Sequence, residues 1–226
     1  MISIDSDGSA TTVSIVHADN DIVVIEKAAF LRSIDSKPDE PDPRPPNVLD
    51  ISRELYADVR LVHRLDFDTS GLMLLARTKT AQQKLNEQFQ QRLVGKEYEA
   101  VSLGHPVQQY GRIELPIAKD WPNRPRQKID ISQGKHAITD YRVLDRFHNS
   151  NDDTPISRLR LFPVTGRSHQ LRIHLRVLGH PLAGCDLYGN VASYELSERL
   201  LLHASKLVFT HPGSAKTVSF ESVVPF

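Results

Sequence analysis

His63-Arg64-Leu65-Asp66-Phe67-Asp68-Thr69-Ser70-Gly71 places a basic pair, two acids, two hydroxyls and a glycine within nine residues. Leu61 and Val62 precede it, and Leu72-Met73-Leu74-Leu75-Ala76 follows. The following run has strand length and is apolar enough to be buried on both faces. The polar cluster therefore falls at the mouth of a core strand, where a fixed scaffold holds it. A carboxylate there can be a nucleophile, a general base or the cap of a turn. Asp-x-Thr-Ser-Gly is also good turn chemistry, because short polar side chains bond nearby backbone and glycine supplies positive φ. These residues alone leave the catalytic and the turn readings open.

Upstream, residues 14–17 and 22–25 read as strands around an Asn20-Asp21 turn. Residues 1–13 are small and polar and are expected to be a flexible start. Residues 35–46 are rich in proline and aspartate and read as an extended loop. Asn47 can cap a helix over 48–57, with Asp50 near its positive end.

Downstream, residues 81–92 read as a helix with Ala81, Leu85 and Phe89 on one stripe, stopped near Gly95. Residues 96–101 alternate as a strand that carries Tyr98. Asp120-Trp121-Pro122-Asn123-Arg124-Pro125-Arg126-Gln127-Lys128 has an aromatic among cations, a combination that can stack a base and neutralise phosphate. The alternative is a surface loop anchored by a buried Trp121. Strands are predicted over 137–144 and 157–164. Thr165-Gly166-Arg167-Ser168-His169-Gln170-Leu171-Arg172-Ile173-His174 then enters a helix, with Ser168 as its cap and Leu178 as its end. Its periodicity packs Leu171, Leu175 and Leu178 inward, sets Arg172 and Arg176 on the outer stripe, and presents Arg167 and His169 at the first turn. His169 and His174 make a poor metal pair, since a spacing of five separates them by about 140° on a helix.

One cysteine, Cys185, excludes an intrachain disulfide and fits a reducing compartment. The N-terminal residues lack a secretory pattern, and no apolar run reaches membrane-spanning length, so the expected location is cytoplasmic. Lysine plus arginine and aspartate plus glutamate number 28 each, but residues 1–60 hold twelve acids and six bases. The remainder carries 16 acids and 22 bases, a basic balance compatible with a phosphate-rich ligand.

His-Arg-Leu-Asp-x-x-Thr-Ser-Gly resembles the signature of the RluA-type pseudouridine synthases. The resemblance maps that family's catalytic aspartate onto Asp66 and leaves Asp68 at a variable position. Lys96-x-Tyr98-x-Ala100 is similar to the second family motif and maps its active-site tyrosine onto Tyr98. Thr165-Gly166-Arg167-x-His169-Gln170-Leu171-Arg172-x-His174 resembles the third, with its arginine at Arg167. Where relatives have Asn-Lys-Pro-x-Gly, this chain has Glu26-Lys27-Ala28-Ala29-Phe30, so the lysine is kept and the proline and glycine are not. Segment 120–128 is similar to the compact RluA branch, which modifies a tRNA anticodon stem-loop and a similar hairpin in large-subunit rRNA.

The resemblance implies an α+β pseudouridine synthase fold, with a mixed, largely antiparallel sheet, flanking helices and an RNA-binding cleft. It implies one catalytic domain over 14–226; relatives often carry a small N-terminal RNA-binding domain of S4 type, and none is expected here because too few residues precede Ser14. An ordinary aspartate is ionised at neutral pH, and in the family picture it attacks a flipped-out uridine with no metal or other cofactor. RNA is the implied partner of a monomeric enzyme. Arg64, His63, Trp121, Arg124, Arg126, Lys128, His169 and Arg172 are the candidate RNA contacts. A non-catalytic RNA-binding protein on the same fold is the alternative. A phosphotransferase is disfavoured because no glycine-rich phosphate loop precedes His-Arg-x-Asp.

Overall fold

A computed structural model describes residues 2–3, 12–34 and 46–226. Along the chain the strands are β1 (Ile2–Ser3), β2 (Thr12–Ala18), β3 (Ile22–Lys27), β4 (Arg60–Leu61), β5 (Ser70–Ala76), β6 (Gly95–Leu103), β7 (Tyr110–Glu114), β8 (Ile117–Lys119), β9 (Gln127–Ile129), β10 (Ile138–His148), β11 (Pro155–Pro163), β12 (Leu202–Thr210) and β13 (Thr217–Glu221). The helices are α1 (Val48–Leu55), α2 (Lys79–Gln90), α3 (Gln170–Val177) and the short α4 (Val191–Tyr194). The fold is α+β and mainly antiparallel. The expected flexible start falls largely outside the described residues, but Ile2 and Ser3 pair with Val13 and Thr12 of β2. The expected loop over 35–46 also lies outside them, apart from Pro46.

Two compact units divide the chain. The first comprises Met1–Gly95 and Ala204–Val224. In it β2, β3 and β5 pair in succession as antiparallel strands, β4 pairs β5, and β13 pairs β12. Every residue of β5 is buried, as its unbroken apolar run requires. Its core joins Ile22, Val24, Leu72 and Leu74 to Leu85 of α2 and to Leu207 and Phe209 of β12. Gly71 has φ +113, and a Cβ there would lie 2.4 Å from the Ala204 carbonyl oxygen. The glycine of the central motif is therefore needed for close strand approach as well as for its backbone angle.

The second unit comprises Lys96–His203 and Pro225–Phe226. Strands β6, β11, β10 and β7 pair antiparallel in that order. Helix α3 packs Leu171, Ile173 and Leu175 into a core with Leu159, Leu161, Leu182 and Tyr188. Strands β8 and β9 form a separate hairpin whose tip is a 3-10 turn, Trp121–Asn123.

Candidate active site

Asp66 opens a turn, its carbonyl accepting the Thr69 amide at 3.2 Å, immediately before β5. Its neighbours are clamped from behind. The Ser33 hydroxyl donates to the Leu65 carbonyl at 2.8 Å and accepts the Leu65 amide at 3.2 Å. Lys27, fully buried, donates through Nζ to the carbonyls of Ala28, Leu31 and Phe67 at 2.8, 2.7 and 3.1 Å. These bonds hold both residues flanking Asp66, so the carboxylate stands on a fixed backbone at the mouth of a core strand. Burial pushes the Lys27 amine down to about 7, opposed by the charges of Asp68 and Asp66.

The 28–33 connection does this without the proline and glycine of the resembling motif. Phe30, in the glycine's place, takes φ 62. That conformation costs a residue with a Cβ on the order of 1–2 kcal/mol. His63 serves the same scaffold, for its Nε2 accepts the Leu74 amide at 2.9 Å and its ring stacks on Phe89 at 4.8 Å. That ring nitrogen is committed to β5. Arg64, between them, is exposed.

In the second unit, Tyr98 lies on β6 opposite Leu161 and is half-buried. Lys96, two residues before it and so on the same face of the strand, reaches the Thr165 carbonyl at 3.5 Å. Burial pushes its amine down to about 8. The second and third motifs therefore meet in this unit. Arg167 donates its amide to Gln170 Oε1 at 3.0 Å and its Nε to the His136 carbonyl at 3.1 Å.

Behind it runs a buried polar chain. Thr165 donates its hydroxyl to Gln170 Oε1, and Gln170 Nε2 bonds Thr139, whose Oγ1 lies 2.9 Å from His174 Nδ1. His174 Nε2 meets the Leu115 carbonyl at 3.1 Å. Burial lowers this imidazole's pKa, against the raising effect of that bond. Both ring nitrogens are used by protein partners, so His174 has a structural explanation and no open ligand position.

Two third-motif residues differ from expectation. The α3 cap is His169 in the left-handed region (φ 54), not Ser168. Its Nδ1 meets the Tyr188 hydroxyl at 2.8 Å, and that hydroxyl accepts the Gln127 amide at 2.7 Å, fastening the β8–β9 hairpin to this loop. Arg172, expected on the exposed stripe as an RNA contact, is 1% exposed and bonds Cys185 Sγ and Asp186. Residues 182–188 cover that side of the helix, so its guanidinium is spent inside the protein.

Trp121 is 59% exposed, which removes the buried-anchor alternative. Arg124 stacks over it at 4.3 Å and Lys119 lies 5.2 Å from its ring centre. Arg126 is exposed beside them, while Lys128 is paired with Asp130 at 3.0 Å. Among the described residues, the one cluster with metal-ligand composition is Asp19, Asp21 and His211. Two of its three members are already engaged, since His17 and His211 bond Asp19 and the Gly213 and Ser214 amides bond His211 Nδ1.

The family model for RNA pseudouridylate synthases matches residues 21–176. The chain belongs to this family. Its RluA-type character follows from a dual-specificity RNA pseudouridine synthase RluA of Vibrio parahaemolyticus, 44% identical over 88% of this chain and 78% of the relative. The Escherichia coli K12 protein of the same name is 38% identical over 94% and 93% of the two chains. Among solved structures, human RNA pseudouridylate synthase domain containing 1 superposes with a TM-score of 0.80 at 30% identity, covering 98% of this chain and 87% of that one. This pseudouridine synthase is thus an isomerase that acts on RNA, and its fold is the expected one. No helix among its described residues is long and apolar enough to cross a membrane.

Proposed function

We propose that this enzyme converts uridine to pseudouridine in a tRNA anticodon stem-loop and in a large-subunit rRNA hairpin, with Asp66 as nucleophile. The observation that carries the reading is the clamped Asp66 turn, in which Lys27 and Ser33 hold Phe67 and Leu65 on either side of one carboxylate. Such pre-positioning is what a nucleophile needs and a turn cap does not. The choice of RNA rests on segment 120–128 and on relatives whose names carry dual specificity.

The target base leaves its stack at a cost of a few kcal/mol. Asp66 attacks the uridine at C1′ or at C6, and the bond from N1 to C1′ breaks. The uracil turns over, C5 bonds to C1′, and the C5 hydrogen leaves as a proton. Tyr98 stacks on the flipped ring and assists that last deprotonation, directly or through water. Arg167 orients the carboxylate, and Arg64 fills the gap the base leaves. Residues 14–226 serve as a single catalytic domain.

Tritium release from RNA labelled at uridine C5 tests the reading, using tRNA and large-subunit rRNA transcripts. Release from both supports dual specificity, release from one narrows it, and tight binding without release returns the chain to a binding role. Arg167→Ala is expected to lower kcat by roughly a hundredfold, the scale of one lost transition-state donor. Its RNA Kd should stay within about threefold, because one phosphate contact is a small share of such an interface. Comparable losses in both would count against an orienting role. Trp121→Ala should lower kcat/KM on the hairpin substrates by roughly tenfold, as loss of one stacked base would. Unchanged kinetics would leave Trp121 a surface residue.

A further inference from the structure

Phe30 and Phe67 form a ring pair beside Asp66, with centroids 5.9 Å apart and planes at 61°. Phe67 follows Asp66 directly, and Phe30 tips the loop whose Lys27 holds the Phe67 carbonyl. Both rings are about half exposed, 52% for Phe30 and 48% for Phe67. Two large apolar side chains are thus left to water at the mouth of the site. Phe30 also occupies a left-handed backbone position that favours glycine. An exposed ring held in an unfavourable backbone conformation has no packing reason, since burial does not repay it. The edge-on geometry also keeps the two rings from closing their faces on each other.

We infer that Phe30 and Phe67 form a stacking platform for an unpaired nucleobase next to the target uridine. Every base has a π-face, so a rigid aromatic edge beside the reacting carbon binds the strand without reading its sequence. Backbone bonds to Lys27 and Ser33 fix the loop from behind, so little ordering is lost when a base docks. The proposal rests on the RNA-modifying reading above and extends it to Phe67, at a variable position of the first motif, and to Phe30, where this chain departs from the family pattern.

The test uses tRNA and large-subunit rRNA transcripts as probes, with Kd measured at one fixed salt concentration. Phe67→Leu keeps apolar bulk without a π-face and is expected to weaken binding roughly tenfold, whereas Phe67→Tyr should bind as wild type. Phe30→Gly should weaken binding to a similar degree while leaving Tm unchanged or higher, because it relieves the backbone. Wild-type binding by Phe67→Leu overturns the platform. Equal losses in the leucine and tyrosine variants overturn it too, as does weakened binding that merely tracks a fall in Tm. Tritium release by the wild type separates the two levels. Release together with unaffected binding in the variants removes the platform alone. Absence of release, with binding still lost in Phe67→Leu, removes the modification reading and keeps the platform.

Discussion

Asp66→Asn is expected to reduce tritium release from C5-labelled RNA by roughly a thousandfold or more, the scale seen when a covalent nucleophile is removed. The substitution is nearly isosteric, and the turn does not depend on the carboxylate. Asp66 holds the turn through its carbonyl, which accepts the Thr69 amide. Ser33 and Lys27 fix its neighbours through their backbone atoms. Fold and RNA Kd should therefore survive, and only the chemistry should fail. Release near the wild-type rate would move the nucleophile elsewhere and return Asp66 to turn formation.

Lys27→Met should be the most destabilising single change in the first unit, by roughly 3–5 kcal/mol. Three carbonyls lose their donor at once, and each buried, unsatisfied group costs about 1–3 kcal/mol. Removal of a buried amine's desolvation cost offsets part of the loss. At this chain length the fall corresponds to a Tm decrease on the order of 10 °C. Activity should drop even where the variant remains folded, because the Phe67 carbonyl beside Asp66 is released.

The pH dependence carries a sign of its own. Burial lowers the Lys27 pKa from its ordinary value of 10.5 to about 7. Between those values the unfolded chain binds a proton that the folded chain gives up. This group's contribution to stability is therefore fully present above the unfolded pKa and is lost as pH falls toward 7. Urea unfolding at pH 7 and pH 9 should show a rise for wild type that the methionine variant lacks. A Tm equal to wild type would show that the three carbonyls are satisfied by other means.

Local signals were readable wherever the cause was local. Asn47 caps α1, its side chain accepting the Asp50 amide at 3.1 Å, as its position before an apolar-periodic run implied. The run after the central motif is the fully buried β5. Helix α2 begins at Lys79, ahead of the expected residue 81, because the Thr78 hydroxyl caps it. What could not be read came from distant contacts. Periodicity placed Arg172 outward because it describes only one side of a helix, and the 182–188 segment covers the other. Lys27 and Ser33 act on residues 40 and 32 positions away, so their clamp on Leu65 and Phe67 has no signature in local pattern. Only the retention of a lysine amid an otherwise altered motif pointed to the first of them.

The division of the chain has a consequence for biosynthesis. All but two residues of the second unit form one continuous stretch, Lys96–His203. The first unit instead closes its core with Leu207 and Phe209, packed against Ile22, Leu72 and Leu74. On the ribosome, the segment bearing the central motif must wait for the whole of the Lys96–His203 stretch to be made before β12 (Leu202–Thr210) is complete. Units generally fold as their residues become available. The Lys96–His203 stretch is therefore the part free to mature first, and the segment before it, with its fully buried β5, is the one with most need of protection from aggregation.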